Sequence, residues 1–575
     1  MNNRTPYRER LLEILPHVEK PSRYLPPIRN AVGKDLDAAD VTWALTFPDA
    51  TETGYPHHGL EILYNVINKH PRCAAERAFS PWTDMEKEMR ARDLPLASIE
   101  TNRPLAEFDV IGITMQFELS YTNILGVIDL AGLTLRAKDR SDIFPLVAGG
   151  GPCATNPEPL SPFLDFFLIG DGEDAVQAIS ETIAAFKDEG GASKEDLLAR
   201  LSAIEGVYVP SLFTPVYGPD GRLESVEGPS TPKRTILSNI SKYPIPEKPV
   251  LSAITPTHDR VYTEIARGCG VGCRFCQAGY IYRPLRERPE QEVVSSAVQA
   301  LEATGHENVT LASLSSGDHA EILPILRSMN ASTEDEQVGL ALPSLRACTL
   351  SDEVINEVQQ FRKSSFTIAP EAGSERMLRL INKGITRDHV RDIAERTVKQ
   401  GWRLLKLYFL IGLPTEEDED VAGIATLSND VWKIGSGIAG RAFKLNVSVS
   451  SLVPKPHTPF QWERQDSIQE VERKQSLIRG MLLHRNISLK CHNSYQTAIE
   501  DLLSRGDRRV GDTIEKAYQA GARFDEWKEL FSYDRWVEAC RATGIDLEDA
   551  HRERSEDEFL PWQHIDIDIT KKFLL

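Results

Sequence analysis

Three cysteines lie close together in residues 266–284, ARGCGVGCRFCQAGYIYRP. Cys273 follows Cys269 by four positions, and Cys276 follows Cys273 by three. Thiolates are the usual ligands of iron–sulfur clusters, and a [4Fe–4S] cube takes one ligand per iron, so three cysteines leave one iron open for chemistry. The spacing therefore predicts a catalytic metal site at these three cysteines. The backbone can wrap tightly around a cluster because three nearby positions are glycine: Gly268, Gly270 and Gly272.

A zinc site and a disulfide-bonded loop are the alternatives to a cluster at these cysteines. A structural zinc site normally has four ligands, often from two separated pairs, and no second Cys/His pair stands nearby in the sequence. A disulfide-bonded loop would leave one of the three cysteines over. The remaining cysteines are scattered and are predicted to be ordinary thiols: Cys73, Cys153, Cys348, Cys491 and Cys540.

The cysteine segment has a Cys-x-x-x-Cys-x-aromatic-Cys pattern, formed by Cys269, Cys273, Phe275 and Cys276. This pattern follows an expected strand at residues 260–266 and resembles the signature of radical SAM enzymes. In that family the amino and carboxylate groups of S-adenosylmethionine (SAM) occupy the open iron. One electron from the cluster then cleaves the sulfonium to methionine and a 5′-deoxyadenosyl radical. The resemblance implies that Phe275 lies near the adenine.

The composition bounds the class of protein. The chain has 575 residues, of which 41% are hydrophobic and 26% charged, as in globular proteins of two or three domains. A net charge of −19 disfavours general attraction to nucleic acid or to an anionic membrane. We expect a cytoplasmic protein that does not act at a membrane, since no signal peptide or long apolar run is visible.

Apolar runs alternate with helical stretches from residue 40 to about residue 174, which predicts a doubly wound parallel sheet of Rossmann-like α/β type. In such a sheet, ligands bind at the loops after the strands. The predicted domains are an N-terminal helix and linker, this Rossmann-like domain with a hairpin turning at 219–221, a linker, a barrel and a mainly helical C-terminal region: 1–39, 40–228, 229–256, 257–485 and 486–575.

The N-terminal domain resembles the cobalamin-binding type that precedes the barrel in one subgroup of radical SAM proteins. The resemblance lies in GGGPCATNPEPL and DFFLIGDGE, within residues 149–173, and implies cofactor contacts at Gly149 and Gly150. The Asp-x-His-x-x-Gly motif that supplies a cobalt ligand elsewhere is absent, and His57 and His58 lack its spacing. Either cobalamin binds without a histidine ligand or the domain has kept only the fold.

Six strands are expected after the linker, at 260–266, 308–314, 338–342, 364–369, 404–411 and 443–452. They resemble the partial (β/α)6 barrel of radical SAM enzymes, and parallel barrels place their working residues at the carboxyl ends of strands. The resemblance implies that Ser316, Gly317 and Asp318 meet the SAM amino group. Glu371 and Ser374 would meet its ribose and methionyl groups, and Gly412 would support its adenine.

Several of these residues have a structural alternative. Arg346, after strand three and Ser344, could hold the SAM carboxylate by a bidentate pair. Asp318 and Ser374 could instead cap helices. After strand six, Lys455, His457, Phe460 and Trp462 could line a substrate mouth, or the neighbouring prolines could simply end the strand. Arg505, Arg508 and Arg509 could grip a phosphate, although pairing with acidic neighbours such as Asp507 or Glu500 is favoured.

These features predict a radical SAM enzyme that uses a [4Fe–4S] cluster, SAM and, in one alternative, cobalamin for methyl transfer. Without cobalamin, the outcome could be rearrangement, cyclisation or sulfur insertion. Methylthiotransferases carry three further upstream cysteines, whereas only Cys73 and Cys153 lie upstream here. The expected partners are an external electron donor of flavodoxin or ferredoxin type and an unidentified substrate, with RNA not excluded. A non-enzymatic iron–sulfur sensor is the other alternative.

Overall fold

The computed structural model describes residues 5–335, 337–343, 345–346, 350–358 and 366–575. Ser344, the thiol of Cys348 and the first two residues of the expected strand at 364–369 lie outside the described residues. No helix of the described residues is both long enough and apolar enough to cross a membrane.

The described strands are β1 Val41–Phe47, β2 Cys73–Phe79, β3 Val110–Thr114, β4 Leu146–Gly150, β5 Phe166–Leu168, β6 Val207–Tyr208, β7 Thr214–Tyr217, β8 Leu223–Glu227, β9 Val261–Glu264, β10 Ala266–Arg267, β11 Arg286–Glu287, β12 Asn308–Ala312, β13 Gly339–Ala341, β14 Phe366–Glu371, β15 Leu404–Ile411, β16 Lys444–Ser451 and β17 Ile487–Cys491.

The described α-helices are α1 Thr5–Ile14, α2 Thr51–Gly54, α3 His58–Lys69, α4 Thr83–Ala91, α5 Tyr121–Leu130, α6 Glu173–Asp188, α7 Lys194–Leu201, α8 Ala278–Ile281, α9 Glu290–Thr304, α10 Ile322–Ser332, α11 Asp352–Val358, α12 Glu375–Leu380, α13 Arg387–Lys399, α14 Asp418–Ala439, α15 Ile468–Met481, α16 Ser494–Arg505, α17 Val510–Gln519, α18 Tyr533–Thr543, α19 Leu547–Ala550 and α20 Lys571–Leu574.

The N-terminal sheet has the strand order β2-β1-β3-β4-β5-β6. Strands β1 to β5 are parallel, as the apolar runs predicted, and β6 adds an antiparallel edge. Every residue of β1 and β2 is buried, because separate apolar clusters cover the two faces of the sheet. Strands β7 and β8 form the expected hairpin, with Gly221 in its turn at φ +77°.

The second half contains two parallel sheets, β13-β12-β9 and β14-β15-β16-β17. Among the described residues no strand pairing joins β13 to β14, so the barrel is not closed there. The α/β architecture of the two halves confirms the predicted fold class. The barrel has one more strand than the six expected, because β17 pairs in parallel with β16. The expectation that the chain leaves the barrel at residue 486 was therefore wrong. The short β17, with its alternating exposed positions, gives a weak sequence signal.

The C-terminal helices pack back onto the N-terminal sheet. Ile499, Leu502, Ile514 and Trp536 belong to the same apolar cluster as Ile124 of α5. Asp525 accepts a hydrogen bond from Thr122 at 3.0 Å. One face of the first sheet is thus covered by the end of the chain, an arrangement that the sequence pattern did not predict.

Candidate active site and ligand cavity

The loop with the three cysteines follows β9 and β10 at the carboxyl end of the barrel strands. Gly268 has φ +88°, and a Cβ there would lie 2.4 Å from the carbonyl oxygens of Tyr282 and Pro284. Gly272 also has a positive φ, +79°. By contrast, a Cβ on Gly270 would meet no atom within 4 Å. Two of the three glycines are therefore required by the backbone, and Gly270 is not.

The loop is anchored to the segment after α12. The side-chain amide of Asn382 donates to the Gly272 carbonyl at 3.0 Å, and the Arg274 N–H donates to the Ile381 carbonyl at 3.0 Å. Phe275 is half-buried against the barrel core. Gly270 and Arg274 remain exposed. This arrangement holds one side of the loop firmly and leaves the other side accessible to a partner.

The three thiols are close enough to influence one another electrostatically. Burial, together with the neighbouring Cys276 and Cys269, raises the pKa of Cys273 to about 12, while Lys383 opposes the shift. Burial likewise raises the pKa of Cys276. Among the described residues no three His, Cys, Asp or Glu side chains converge on a single ion. A cubic cluster does not require such convergence, because each cysteine binds a different iron.

Glu371, the last residue of β14, lies near the cysteine loop. It adopts φ +69°, which is uncommon for a residue with a side chain, and pairs with Lys383 at 2.7 Å. Both side chains influence the pKa of Cys273, so they lie near the cysteines, and the SAM contact that the resemblance implies for Glu371 stays a prediction. Lys383 and Asn382 had no distinguishing motif in the sequence and were not predicted.

Asp318 and Arg346 form a two-point ion pair. Arg346 Nε donates to Asp318 Oδ2 at 2.9 Å, and its Nη2 donates to Oδ1. Ser315 also donates to Asp318 Oδ2 at 2.6 Å. Asp318 does not cap α10, so that alternative was wrong. A Cβ on Gly384 would lie 3.9 Å from Arg346 Nη1, which places the pair beside the segment that carries Lys383.

The other predicted SAM contacts differ in their local roles. Ser316 is buried and its hydroxyl lies 2.9 Å from that of Ser313, while Gly317 is half-buried in the same turn. Ser374 caps α12 by accepting from the Met377 N–H, so the capping alternative holds for it. Gly412, at φ +79°, donates its N–H to Glu416 at 2.8 Å.

A cavity of about 560 Å³ lies between the two halves of the chain. Its walls come from the loops after the N-terminal strands, from the carboxyl ends of β9 and β12, and from Arg267 and Gly268 of the cysteine loop. Gly149 and Gly150 both line it. A Cβ on Gly149 would lie 2.6 Å from Met115 Sδ, whereas a Cβ on Gly150 would have its nearest neighbour at 3.7 Å. Gly149 is thus needed for packing, and Gly150 leaves space.

His57 and His58 line the same cavity at the start of α3. His57 caps α3 by accepting from the Leu60 N–H, and its Nε2 lies 3.1 Å from Gln116 Oε1. Both ring nitrogens of His58 are buried without a hydrogen-bond partner among the described residues. Burial lowers the pKa of His58 to about 4, so its imidazole is neutral at physiological pH.

A buried ion-pair network joins the two halves beside the cavity. Arg267 pairs with Asp171 at 2.9 Å and Glu173 at 2.7 Å of the N-terminal half, and with Glu264 at 2.9 Å. Although burial alone would raise it, Arg267 brings the pKa of Glu264 down to about 2. Arg267, the residue before Gly268, thus fixes the cysteine loop to the N-terminal half, a role that no sequence motif indicated.

The loop after β16 is buried and forms no substrate mouth. Lys455 pairs with Glu118 at 2.7 Å and Glu500 at 2.8 Å, and the His457 ring lies 3.0 Å from the Thr155 carbonyl oxygen. Phe460 and Trp462 are also buried. The structural alternative therefore holds for this loop.

The three C-terminal arginines are likewise paired with carboxylates. The pairs are Arg505 with Asp501, Arg508 with Glu158 and Arg509 with Asp507. This outcome confirms the favoured alternative for the cluster at 504–510, although Glu500 pairs with Lys455 instead of an arginine. A phosphate site at these arginines is not supported.

Two family models match the N-terminal sheet region and the barrel region of this chain separately. The family model described as "Radical SAM proteins, N-terminal" matches residues 59–210, and that of the "Radical SAM superfamily" matches residues 263–427. An uncharacterized protein of Methanocaldococcus jannaschii is 28% identical over 506 residues, covering 87% of this chain and 97% of its own length. A tRNA-2-methylthio-N(6)-dimethylallyladenosine synthase of Carboxydothermus hydrogenoformans is 22% identical over 265 residues, 44% of this chain and 57% of its own.

The chain is also similar to solved structures. The methyltransferase TsrM of Kitasatospora setae, determined with cobalamin and a [4Fe-4S] cluster bound, is 14% identical with a TM-score of 0.49. That match covers 76% of this chain and 75% of the other.

Proposed function

We propose, from the premise that the chain belongs to the radical SAM superfamily, that it cleaves SAM reductively and holds a cobalamin-type corrinoid beside the cleavage site. The observation that carries the proposal is the cavity whose walls include both the glycine loops of the N-terminal sheet and Arg267 and Gly268 of the cysteine loop. A ligand in this cavity would lie next to the cysteines, so the two cofactors could serve one reaction.

Cys269, Cys273 and Cys276 would hold the [4Fe–4S] cluster. When bound there, the cluster would supply the one electron that reductive cleavage of SAM requires. Gly268 and Gly272 let the loop turn, Asn382 and Ile381 fix it, and Lys383 places a positive charge beside the thiolates. The exposed side of the loop is where an external donor of flavodoxin or ferredoxin type would dock.

Asp318 and Arg346 suit the amino and carboxylate groups of SAM. An amino acid carries one positive and one negative charge on neighbouring atoms, and this ion pair offers the opposite charge to each. The two side chains are 22% and 23% exposed, so a ligand can reach them. In the proposed role, Asp318 binds the ammonium, and Arg346 exchanges its contact with Asp318 for the carboxylate.

The residues around the cavity fit a corrinoid. Gly150 leaves room for a bulky ring, His58 offers an unpartnered neutral imidazole on the wall, and the volume is in the range of cofactor pockets. When bound there, a methylcorrinoid supplies a methyl group for transfer to carbon. Trp43, Leu45 and Phe166 form part of the apolar wall and would exclude water from the ligand.

The proposal is tested on protein purified anaerobically from cells supplied with cobalamin. We expect a corrinoid absorption band superimposed on iron–sulfur absorption, and 5′-deoxyadenosine after addition of dithionite and SAM. An iron-containing protein that forms no 5′-deoxyadenosine would point to a sensor and overturn the enzymatic proposal. Cleavage without a corrinoid band, even after reconstitution with hydroxocobalamin, would remove the cobalamin part.

A further inference from the structure

The sheet β14–β17 has one apolar face and one polar face. In β15 the buried residues alternate with Lys406 and Tyr408, and in β16 they alternate with Asn446 and Ser448. The apolar residues of these strands share one buried cluster with Val390 of α13 and Ile424 of α14, so the polar face, on which Tyr408 is 39% exposed, is turned away from these helices toward the inside of the barrel. Parallel sheets normally have both faces covered by apolar packing. A wet polar face inside a parallel barrel therefore calls for a ligand.

The strand register brings polar residues of three strands together. Lys406 lies beside Asn446, and Asn446 lies beside Ser488 of β17. One step nearer the carboxyl end, Tyr408 lies beside Ser448, and Ser448 lies beside Lys490. Strands β15 to β17 place no aspartate or glutamate anywhere along their length. This patch, defined as Lys406, Tyr408, Asn446, Ser448, Ser488 and Lys490, is cationic within a protein of net charge −19.

The two lysines of the patch have no partner among the described residues. Neither ammonium group makes a hydrogen bond or an ion pair there. Other lysines of the barrel are paired: Lys383 with Glu371 at 2.7 Å, and Lys474 with Glu416 at 2.9 Å. Among the described residues, Lys406 and Lys490 thus differ from these paired lysines, because no carboxylate neutralises them on the polar face of the sheet.

The spacing of the patch suits a single anionic group over β16. Lys406 and Lys490 are two strands apart, about 10 Å, and two residues apart along the strands, about 7 Å. Their flexible four-carbon stems can reach inward from opposite sides, above the Asn446 amide and the Ser448 hydroxyl. The Tyr408 hydroxyl adds a further donor.

The donor set favours phosphate over carboxylate. Two ammonium groups, an amide and three hydroxyls approach from different strands, which suits the several oxygens of a phosphate monoester. Planar carboxylates are matched better by the paired nitrogens of arginine, and strands β15 to β17 contain none. Lysine is a common phosphate ligand that acts as a point charge.

We propose that this patch binds a phosphate monoester group of the substrate. Tyr408 is three residues, or about 10 Å, from the carboxyl end of β15, and the cysteine loop follows β9 and β10 at the same end of the barrel strands. Gln277 of the cysteine loop contacts the Pro456 carbonyl beyond the end of β16 at 3.4 Å. A substrate anchored here would present a carbon about 10 Å from its phosphate to the SAM site. This assignment of substrate class rests on the proposed function.

The test is lysine acetylation of the anaerobic holoenzyme, read residue by residue by mass spectrometry, with inorganic phosphate as the probe. We expect phosphate to slow acetylation of Lys406 and Lys490 relative to potassium chloride of equal ionic strength. Lys433, exposed on α14, should be unaffected and serves as the internal control. Equal acetylation of Lys406 and Lys490 with and without phosphate overturns the proposal. Protection by acetate equal to that by phosphate overturns the choice of phosphate.

Matched variants sharpen the test. Lys406→Gln should weaken phosphate protection of Lys490 about tenfold, and Lys490→Gln should do the same for Lys406, because each removes one charged contact. Lys433→Gln should change neither value. Protection that survives both patch variants overturns the proposal, and circular dichroism verifies folding of each variant.

The two proposals fail separately. Wild-type protein that cleaves SAM but gains no phosphate protection removes only the patch. Phosphate protection without SAM cleavage removes the enzymatic proposal and the substrate assignment that rests on it, and leaves the patch as a phosphate site.

Discussion

The two large parallel sheets of this chain are covered differently. Every residue of β1 and β2 in the N-terminal sheet is buried, whereas β15 and β16 in the barrel alternate between buried and accessible positions. A sheet covered on both faces can offer a ligand only its strand ends, and the cavity lies there. The barrel sheet offers a whole face as well. The first sheet thus suits a resident cofactor, and the second suits an exchanging substrate.

The largest expected effect lies in the loop where the two sheets meet. Cys276→Ala should abolish 5′-deoxyadenosine formation and lower the iron content, because it removes one of three cluster ligands. Iron analysis and chromatographic quantification of 5′-deoxyadenosine measure both. Cys540→Ala, at a buried thiol on α18, is the matched control and should keep its iron. SAM cleavage retained by Cys276→Ala would contradict the cluster assignment.

The difference in covering itself is tested by truncating one aromatic residue in each sheet. Trp43→Ala in β1 should lower the free energy of unfolding by about 3–5 kcal/mol, since the side chain is 3% exposed and its indole donates to Ser180. Tyr408→Ala in β15 should change it by no more than about 0.5 kcal/mol. Chemical denaturation gives both values, and similar losses at the two positions would refute the contrast.

Gly149 and Gly150 are adjacent in the cavity wall, but a side chain at Gly149 would clash with the protein whereas one at Gly150 would enter the cavity. Gly149→Ala should destabilise the fold by about 1–3 kcal/mol, since the new Cβ would meet Met115 and Leu164. Gly150→Ala should leave stability nearly unchanged and weaken corrinoid retention, because its Cβ fits the protein but occupies ligand space. Thermal melting and corrinoid absorbance distinguish the two. Full corrinoid retention by Gly150→Ala would argue against this wall of the cavity.

A smaller effect is expected in the pH dependence of the junction between the halves. The Glu264 pKa, about 2 in the folded chain, lies below the usual value of about 4.3. Its ionised form therefore stabilises the fold above pH 4.3, and that contribution is lost as the pH falls from there through about 2.

The variant Glu264→Gln, which cannot ionise, should lower the free energy of unfolding by about 1–2 kcal/mol at pH 7. Its melting temperature should approach that of the wild type in acid. Glu419→Gln, at an exposed position, is the control. A difference between wild type and Glu264→Gln that stays constant from pH 7 to pH 3 would show that the charge of Glu264 is not responsible.

The sequence was informative where a local pattern determines the outcome. Continuous apolar runs predicted β1, β3, β4 and β5 but not β2, whose sequence contains Glu76 and Arg77. The bounds of β15 were predicted correctly, and a strand was expected directly before the three cysteines, where β9 and β10 lie. Alternating patterns in the barrel predicted its strands but not that β17 would join them. A short edge strand depends on its partner for definition, so its own residues carry little signal.

Contacts between distant segments could not be predicted. Asp318 and Arg346 are separated by 28 residues, and Arg267 and Asp171 by 96, and no local rule links either pair. A substrate mouth was one of two alternatives for Lys455, which instead lies buried between Glu118 and Glu500 because the C-terminal helices fold back over it. The polar patch required the strand register, which joins β15, β16 and β17 only in the folded sheet.

The proposed SAM cleavage requires that one iron of the three-cysteine cluster be open to SAM. Electron paramagnetic resonance of the dithionite-reduced protein, recorded with and without SAM, tests this directly. We expect a reduced [4Fe–4S] signal whose g-values shift when SAM is added. A signal that SAM leaves unchanged, or a protein that holds zinc instead of iron at these cysteines, would contradict it.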